Sequence, residues 1–446
     1  MKMTVIGTGY LGATHAACMA ELGHEVLGVD VDESKISALA AGRVPFYEPG
    51  LPEILSRGID SGRLNFTTSY EEAANFAHVH FLGVGTPQTH GSYAADLRYV
   101  HAVIDTLVPL LRGEHIIFGK PTVPVGTAAE LQKRVDSLVH DGPDGDGGTH
   151  VEIVWNPEFL REGFAVKDTL SPDRIVLGTA TPDSPAIDVA REIYARPLAE
   201  GTPLVLTNLP TAELVKVSAN SFLATKISFI NAVSEICELT GADVTKLAEA
   251  IGYDDRIGKK FLRAGLGFGG GCLPKDIRAF MARAGELGAS EALSFLREVD
   301  TINMGRREHV VTLSKKLLDG SLLGKNVTVL GAAFKPNSDD VRDSPALSVA
   351  GSLSLKGASV TVYDPQAMGN AAKVFPTLDY APDVLTALTG ADLVILATEW
   401  DEFRNMDPEK AGELVKQCLI LDARNVLPID DWTQKGWRVQ ALGHGE

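Results

Sequence analysis

The densest group of reactive residue types in this chain lies in GLGFGGGCLPKD, residues 265–276, where five glycines lead into Cys272 and Lys275 and Asp276 stand directly behind it. Glycine lets backbone approach a ligand closely, at an entropic cost in the folded state, so the run predicts a thiol laid open for reaction. A cation three residues on favours the nucleophilic thiolate. The other cysteines, Cys18, Cys237 and Cys418, read as structural thiols in or beside helices and strands. Lys216 and Asn220 are spaced to share a helix face, where a lysine and an asparagine can stabilise an oxyanion or orient a hydroxyl. NPEFLREG adds Glu158 and Glu162, which share a face if that segment is helical and of which one can act as a base or hold water. An ordinary polar stripe and an exposed acidic turn are the plainer readings of these two pairs.

Gly7-Thr8-Gly9-Tyr10-Leu11-Gly12 follows an apolar run and opens a helical stretch. Asp30 closes the next apolar run at the spacing of a carboxylate that binds the adenine ribose. Backbone N–H groups and the helix dipole would hold a pyrophosphate there, and Asp30 would repel a 2′-phosphate, which favours NAD over NADP. A thiolate beside a hydride acceptor can capture an aldehyde as a thiohemiacetal. A second hydride transfer then gives a thioester, which water releases as an acid.

The elements that must position these residues fall into three regions. To about residue 200, MTVIG, EVLGVD, HFLGVGTP, HIIFGK, EIVWNPE and RIVLGT alternate with helical stretches, which implies a largely parallel sheet covered on both faces. Within it, HDGPDGDGGTH (140–150) reads as a mobile surface loop. From LPTAELVKVSAN, no proline or glycine intervenes until Gly241, and about 30 residues make a rod of about 45 Å. Thr211 is expected to cap it, with Glu213 in its first turn. Apolar residues around most of its circumference suit a spine between domains or a subunit interface. From about residue 320, KNVTVLGAAF and KGASVTVYDP echo the opening, each half ending its second run in an aspartate, Asp30 and Asp364. This second unit lacks the glycine fingerprint and is not expected to hold NAD, but Lys335, Arg342 and Arg424 lie near strand ends where a phosphate could bind. The expected fold is therefore α/β, with two Rossmann-like doubly wound domains joined by a long central helix and a helical dimerisation region. The expected divisions are 1–200 for the NAD-binding domain, 201–300 for the central helical domain and 301–446 for the C-terminal Rossmann-like domain.

A formal charge of −17 argues against general affinity for nucleic acid or anionic membrane. Four scattered cysteines without a CxxC pair fit a reducing cytoplasm and no metal site. No apolar run approaches membrane-spanning length, and the N-terminus has no signal-peptide pattern.

The ordered motifs GTGYLG, VPFYEPGL, VGTP, TVPVGT, NPEFLREG, ELVKVSANSFLATKISFIN, DDRIG, GFGGGCLPKD, AFKPNSDDVRDSP and DARN cover nearly the whole chain. Through them it resembles the UDP-glucose/GDP-mannose dehydrogenase superfamily, in its UDP-glucose branch. The resemblance implies oxidation of UDP-glucose to UDP-glucuronate with two NAD⁺ and one water. It makes Cys272 the nucleophile, Lys216 and Asn220 oxyanion stabilisers, Asp276 and Thr122 holders of a water, and Glu158 a base. For NAD it implies Gly7, Gly9, Tyr10, Leu11, Gly12, Asp30, Lys35, Thr86, Thr122, Glu162, Lys275 and Arg342. For the UDP-sugar it implies Glu158, Phe159, Leu160, Lys216, Asn220, Phe261, Gly269, Lys335 and Arg424. Arg256 would reach a neighbouring subunit's substrate, so a homodimer is implied. Gly271 and Leu273 depart from the family's usual serine and phenylalanine, and Pro121 from a frequent serine. Three rivals stay open: a GDP-mannose or UDP-N-acetylmannosamine dehydrogenase, a two-electron β-hydroxyacid dehydrogenase whose architecture also carries a Lys-x-x-x-Asn helix, and a non-catalytic NAD-responsive protein.

Overall fold

Short apolar runs that alternate with helices cannot close into hairpins, because parallel strands need crossover connections. The computed structural model describes residues 1–139 and 148–445, so residues 140–147 of the expected surface loop lie outside the described residues. Two compact units divide the chain, Met1–Ala219 and Asn220–Glu446.

The first unit contains β1 (Lys2–Ile6), β2 (Glu25–Val29), β3 (Leu64–Thr67), β4 (Val79–Leu82), β5 (Glu114–Gly119), β6 (His150–Trp155), β7 (Ile175–Thr179) and β8 (Leu204–Asn208). Their order in the sheet is β3-β2-β1-β4-β5-β6-β7-β8. The pairing is parallel except between β6 and β7. The six apolar runs of the sequence are six of these strands. The short strands β3 and β8 were not expected: β3 has no comparable apolar run, and β8 has only the three residues Leu204-Val205-Leu206. Adjacent residues on one strand enter opposite cores: Val5, Phe81 and Phe118 pack on one face, and Ile6, Leu82 and Ile117 on the other. This is the period-2 alternation of a sheet buried on both sides.

The second unit repeats the arrangement with β9 (Asn326–Leu330), β10 (Ser359–Tyr363), β11 (Asp379–Tyr380), β12 (Leu393–Leu396), β13 (Leu419–Asp422) and β14 (Arg438–Ala441). Their order, β11-β10-β9-β12-β13-β14, is again 3-2-1-4-5-6 counted from the unit's first strand. Helices Val244–Gly252, Leu273–Glu286 and Phe295–Leu317 precede the sheet.

The long helix is continuous over Leu209–Thr240, 32 residues. Its start differs from the expected Thr211: the Asn208 side chain accepts the Thr211 N–H at 3.0 Å, which puts Thr211 inside the first turn. The helix also keeps one apolar stripe exposed, with Phe222 67%, Phe229 54% and Ile236 60% accessible. Among the described residues, no helix is long and apolar enough to cross a membrane.

A polar chain runs through the first unit's sheet. Thr4 Oγ1 lies 2.7 Å from His80 Nδ1, His80 Nε2 lies 3.0 Å from His115 Nδ1, and His115 Nε2 lies 2.9 Å from the Arg112 carbonyl. A carbonyl only accepts, so His115 donates from Nε2, His80 donates from Nε2 to His115, and Thr4 donates to His80. That assignment requires His80 to be neutral. Burial, then the neighbouring His115 and His78, push its pKa from 6.5 down to about 3. The unfolded chain therefore binds a proton that the folded chain rejects between those values. The stability is whole above 6.5 and falls as pH drops through that window. Between about pH 7.5 and about pH 5, the wild type should lose about 2 kcal/mol more stability than His80→Gln. Denaturant titrations of both proteins at the two pH values check this, and equal losses would remove His80 as the cause.

Candidate active site

The glycines of the first loop have three separate reasons. Gly7 has φ +91°, and a Cβ there would stand 2.7 Å from the Val84 nitrogen. A Cβ on Gly12 would stand 1.7 Å from the Gly7 carbonyl oxygen, so only glycine lets helix Tyr10–Glu21 start this close to β1. Gly9 meets nothing within 4 Å, which leaves the helix N-terminus open to a ligand. These are the demands of a tight turn, of helix packing and of pyrophosphate approach. Asp30, at the end of β2, accepts from Thr8 N (2.8 Å), Asp32 N (3.1 Å) and Lys35 Nζ (2.8 Å). Burial opposes its charge, but Lys35 and the two N–H groups outweigh that and hold its pKa below the usual value. The site therefore presents a fixed carboxylate at the ribose position, and its residues fit NAD. Lys35, expected at the cofactor, has its ammonium paired with Asp30. Thr86 donates to the Thr122 carbonyl at 2.7 Å and so joins two expected cofactor residues. In the second unit, the equivalent Asp364 is saturated by Ala332 N, Ala333 N, Gln366 N, Ala367 N and Trp400 Nε1.

NPEFLREG is not helical, so Glu158 and Glu162 do not share a helix face. Pro157 has no N–H and disfavours helical geometry at Asn156. The following donors find side-chain acceptors: Leu160 N–H goes to Glu158 Oε2 at 2.7 Å, and Gly163 N–H and Ala165 N–H go to Glu48 at 2.6 and 2.7 Å. Glu158 pairs through Oε1 with Lys216 Nζ at 3.2 Å. The Phe159 ring lies under the Arg174 guanidinium, 3.6 Å from its centroid, with Lys216 Nζ at 5.5 Å. Glu162 is buried.

In the second unit, Cys272 is exposed and occupies the N-cap of helix Leu273–Glu286, at the positive end of its dipole. Asp276, one turn further and 1% accessible, accepts from Asn220 Nδ2 at 2.6 Å and from Lys275 Nζ at 2.7 Å. Lys275, expected at the cofactor, is thus paired with the buried Asp276. The glycines around the thiol are required by packing. A Cβ on Gly269 would stand 2.3 Å from the Asp343 carbonyl oxygen, and Gly265, Gly267 and Gly270 are similarly crowded by Ala423, Asn303 and Phe334. Gly271, the departure from the family pattern, makes room for Arg342: its Cβ would lie 2.4 Å from the guanidinium carbon. That guanidinium is the far end of a flexible side chain, so a larger residue would displace it rather than the backbone. Arg342 is bonded to both Asp340 oxygens, at 2.9 and 2.6 Å.

Arg424 donates from Nη1 to the Gly267 carbonyl at 2.9 Å and from Nε to the Ala397 carbonyl at 2.6 Å. Its Nη2 is buried and finds no hydrogen-bond acceptor among the described residues. Burial lowers its pKa, Glu399 and Asp422 oppose that, and the charges of Arg263 and Arg307 lower it further. Phe261 is 39% accessible with φ 64°, an uncommon conformation for a bulky residue. Lys335 Nζ lies 5.3 Å from the Phe334 ring centroid. Arg256 pairs with Asp254 at 2.6 Å, and its side chain is 89% accessible. Among the described residues, no cluster of His, Cys, Asp or Glu is arranged to hold a metal ion.

Sequence reasoning did not single out Glu48, Lys120 or Asn156, all three of them buried. Glu48 lies in YEPGL, and a lone carboxylate before a Pro-Gly turn gives no sign that it closes a contact with Tyr10 and Gly163. Besides its two N–H donors it accepts from the Tyr10 hydroxyl, which ties the glycine-loop helix to the segment after NPEFLREG. Burial, then the bond and charge of Glu48, raise the Tyr10 phenol pKa. Glu48→Gln keeps the shape but turns one acceptor into a donor facing another donor. It should cost about 2–3 kcal/mol of stability and weaken NAD binding about tenfold. Denaturation and NAD titration measure this, and unchanged values of both would reject the role given to Glu48.

Comparison with known proteins agrees with this geometry along the whole chain. Residues 1–198 match the NAD binding domain of the UDP-glucose/GDP-mannose dehydrogenase family, residues 210–305 its central domain and residues 328–429 its UDP binding domain. A UDP-glucose 6-dehydrogenase of Rhizobium meliloti is 41% identical, covering 99% of both chains. The UDP-glucose 6-dehydrogenase TuaD of Bacillus subtilis is 40% identical, covering 99% of this chain and 93% of its own. The structure of a UDP-glucose dehydrogenase from Pyrobaculum islandicum superposes with a TM-score of 0.89 at 37% identity, covering 100% of this chain and 98% of that one. A UDP-N-acetyl-mannosamine dehydrogenase of Staphylococcus aureus superposes at 0.80 with 25% identity, covering 99% of this chain and 98% of its own. With its ribose carboxylate and open glycine loop held by a Rossmann sheet, the chain belongs to the UDP-glucose/GDP-mannose dehydrogenase family and is an NAD-dependent dehydrogenase.

Proposed function

We propose that this enzyme oxidises UDP-glucose to UDP-glucuronate by two successive hydride transfers through a thioester on Cys272. The observation that carries the reading is the exposed Cys272 at a helix N-terminus, with the buried Asn220–Asp276 bond one turn behind it. NAD⁺, which Gly7, Gly9, Gly12 and Asp30 would hold, would supply the hydride acceptor for each oxidation. In the first, the C6 hydroxyl loses a proton to Lys216 or to a water held by Glu158, and the carbon becomes an aldehyde. The Cys272 thiolate then bonds to the aldehyde carbon, and the oxygen becomes an alkoxide that Lys216 and Asn220 stabilise. Loss of the second hydride converts this thiohemiacetal to a thioester. Water held by Asp276 and Thr122 adds to the carbonyl, and the C–S bond breaks to return the thiolate and the carboxylate. One alcohol and one water consume two NAD⁺ and release one carboxylate, two NADH and three protons.

The UDP-sugar is assigned to Glu158, Phe159, Leu160, Lys216, Asn220, Phe261, Gly269, Lys335 and Arg424. The buried Arg424 Nη2, which finds no acceptor among the described residues, with Arg263 and Arg307 adding positive charge, supports an anionic ligand such as a diphosphate. The cofactor set is Gly7, Gly9, Tyr10, Leu11, Gly12, Asp30, Lys35, Thr86, Thr122, Glu162, Lys275 and Arg342, with Lys35 acting through Asp30. UDP-glucose is preferred over UDP-N-acetylmannosamine because the UDP-glucose dehydrogenases compared are 37–41% identical and the Staphylococcus aureus enzyme 25%. The functional division is taken as 1–200, 201–300 and 301–446, and the cysteine pattern supports a cytoplasmic setting.

A homodimer is part of the reading. Phe222, Phe229 and Ile236 recur every seventh residue and stay exposed on the long helix, a seam suited to a second copy. In that dimer Arg256 reaches the neighbour's substrate. Phe222→Asp with Phe229→Asp should convert a dimer to monomer in sedimentation or light scattering, and a wild-type monomer would reject this.

Purified enzyme with limiting UDP-glucose and excess NAD⁺ should form two NADH per sugar, and Cys272→Ser should lose steady-state turnover about 10³-fold. One NADH per sugar, or full turnover by Cys272→Ser, would overturn the thioester reaction.

A further inference from the structure

Lys120 follows β5 in the first unit and is only 6% accessible. Its Nζ donates to Asn156 Oδ1 at 2.8 Å and lies 3.3 Å from the Tyr194 hydroxyl. The Tyr194 hydroxyl donates to the same Asn156 oxygen at 2.6 Å, while Asn156 Nδ2 donates to the Val176 carbonyl at 2.7 Å. The Asn156 N–H goes to the Gly119 carbonyl at 2.8 Å. Asn156 is thus held at both ends of its amide and by its backbone, on the last residue before Pro157 and Glu158.

A buried ammonium is an expensive way to satisfy one amide oxygen that already has a tyrosine donor. Burial pushes its pKa from 10.5 down to about 7, with the charge of Glu158 acting in the other direction. The groups around it are Glu158, Tyr194, His15 and the Phe81 ring, whose centroid is 5.5 Å away. His15 is held well below its usual pKa by burial and then by Lys120, so it brings no second charge. A methionine in place of Lys120 would fill the space without the desolvation cost, so stability alone does not account for a lysine here.

We propose that Lys120 is a positioning residue for the dehydrogenase reaction, fixing the Asn156–Pro157–Glu158 turn so that the Glu158 carboxylate meets Lys216. The ammonium acts from below the turn and touches neither substrate nor cofactor. Two lysines feel Glu158: Lys216 pairs with it directly, and its charge partly offsets the burial that lowers the Lys120 pKa. The proposal rests on the reading of Glu158 and Lys216 as parts of the oxidation site.

Lys120→Met tests it, with Tyr194→Phe as a second, milder variant at the same oxygen. Lys120→Met should keep a melting temperature at or above that of the wild type while kcat for UDP-glucose falls about 10–100-fold and KM changes by less than about threefold. The ionisation near pH 7 in the wild-type kcat profile should vanish in Lys120→Met. Tyr194→Phe should lower kcat by less and keep that ionisation. Independently of any substrate, the wild type should gain stability relative to Lys120→Met as pH rises from about 7 towards about 9. The unfolded lysine still binds a proton in that range and the folded one does not. Wild-type kcat and pH profile in Lys120→Met would overturn the proposal, as would activity lost only in step with folded protein. Because the stability comparison needs no turnover, a wrong substrate assignment is distinguishable from a wrong role for Lys120.

Discussion

Loops leaving the carboxyl edge of a parallel sheet carry peptide N–H groups that the sheet cannot satisfy, and buried donors need acceptors. In this protein the acceptors are buried carboxylates. Asp30 takes Thr8 N–H and Asp32 N–H, Glu48 takes Gly163 N–H and Ala165 N–H, and Glu213 takes Gly126 N–H and Ala128 N–H at 2.7 Å each. In the second unit, Asp364 takes Ala332 N–H and Ala333 N–H, and Asp422 takes Val426 N–H and Leu427 N–H at 2.7 and 2.8 Å. Each charge-assisted bond contributes about 1.5–3 kcal/mol, and removing the acceptor leaves several donors buried at once. The functional loops are therefore tied down by the same bonds that give the buried carboxylate oxygens their donors.

That constraint links fold to chemistry at each candidate residue. Glu213 lies in the first turns of the long helix, but its carboxylate holds the start of helix Thr127–Leu138 just after the loop of Thr122. Asp276 works by the same logic with side-chain donors, since Asn220 and Lys275 saturate it behind Cys272. The thiol itself stays exposed while the groups behind it are fixed. Preorganisation of this kind limits what the reacting groups must rearrange during the reaction.

The two units show how one topology accepts two fates. Both have the strand order of a doubly wound fold and an acidic residue after the second strand. Asp30 takes bonds from Thr8, Asp32 and Lys35 and stands beside an open Gly9, whereas Asp364 is closed over by four backbone N–H groups and the Trp400 indole. A few residues in the first loop, glycines in one unit and Ala332-Ala333-Phe334 in the other, separate the cases.

The sequence by itself determined what depends on local spacing. The apolar runs became strands because period-2 burial is written residue by residue, and the glycine loop with Asp30 was legible because its parts lie within one β-α-β unit. The 32-residue helix was legible apart from its first turn, where Asn208 rather than Thr211 holds the end. Tertiary structure alone decided which partner each polar group meets. Glu48 with Gly163, Lys120 with Asn156 and Gly271 with Arg342 are separated by tens of residues, and nothing in local pattern encodes such pairs. It also decided that the glycines before Cys272 make room for neighbouring backbone and side chains, because crowding is a property of the assembled core and not of the segment that suffers it.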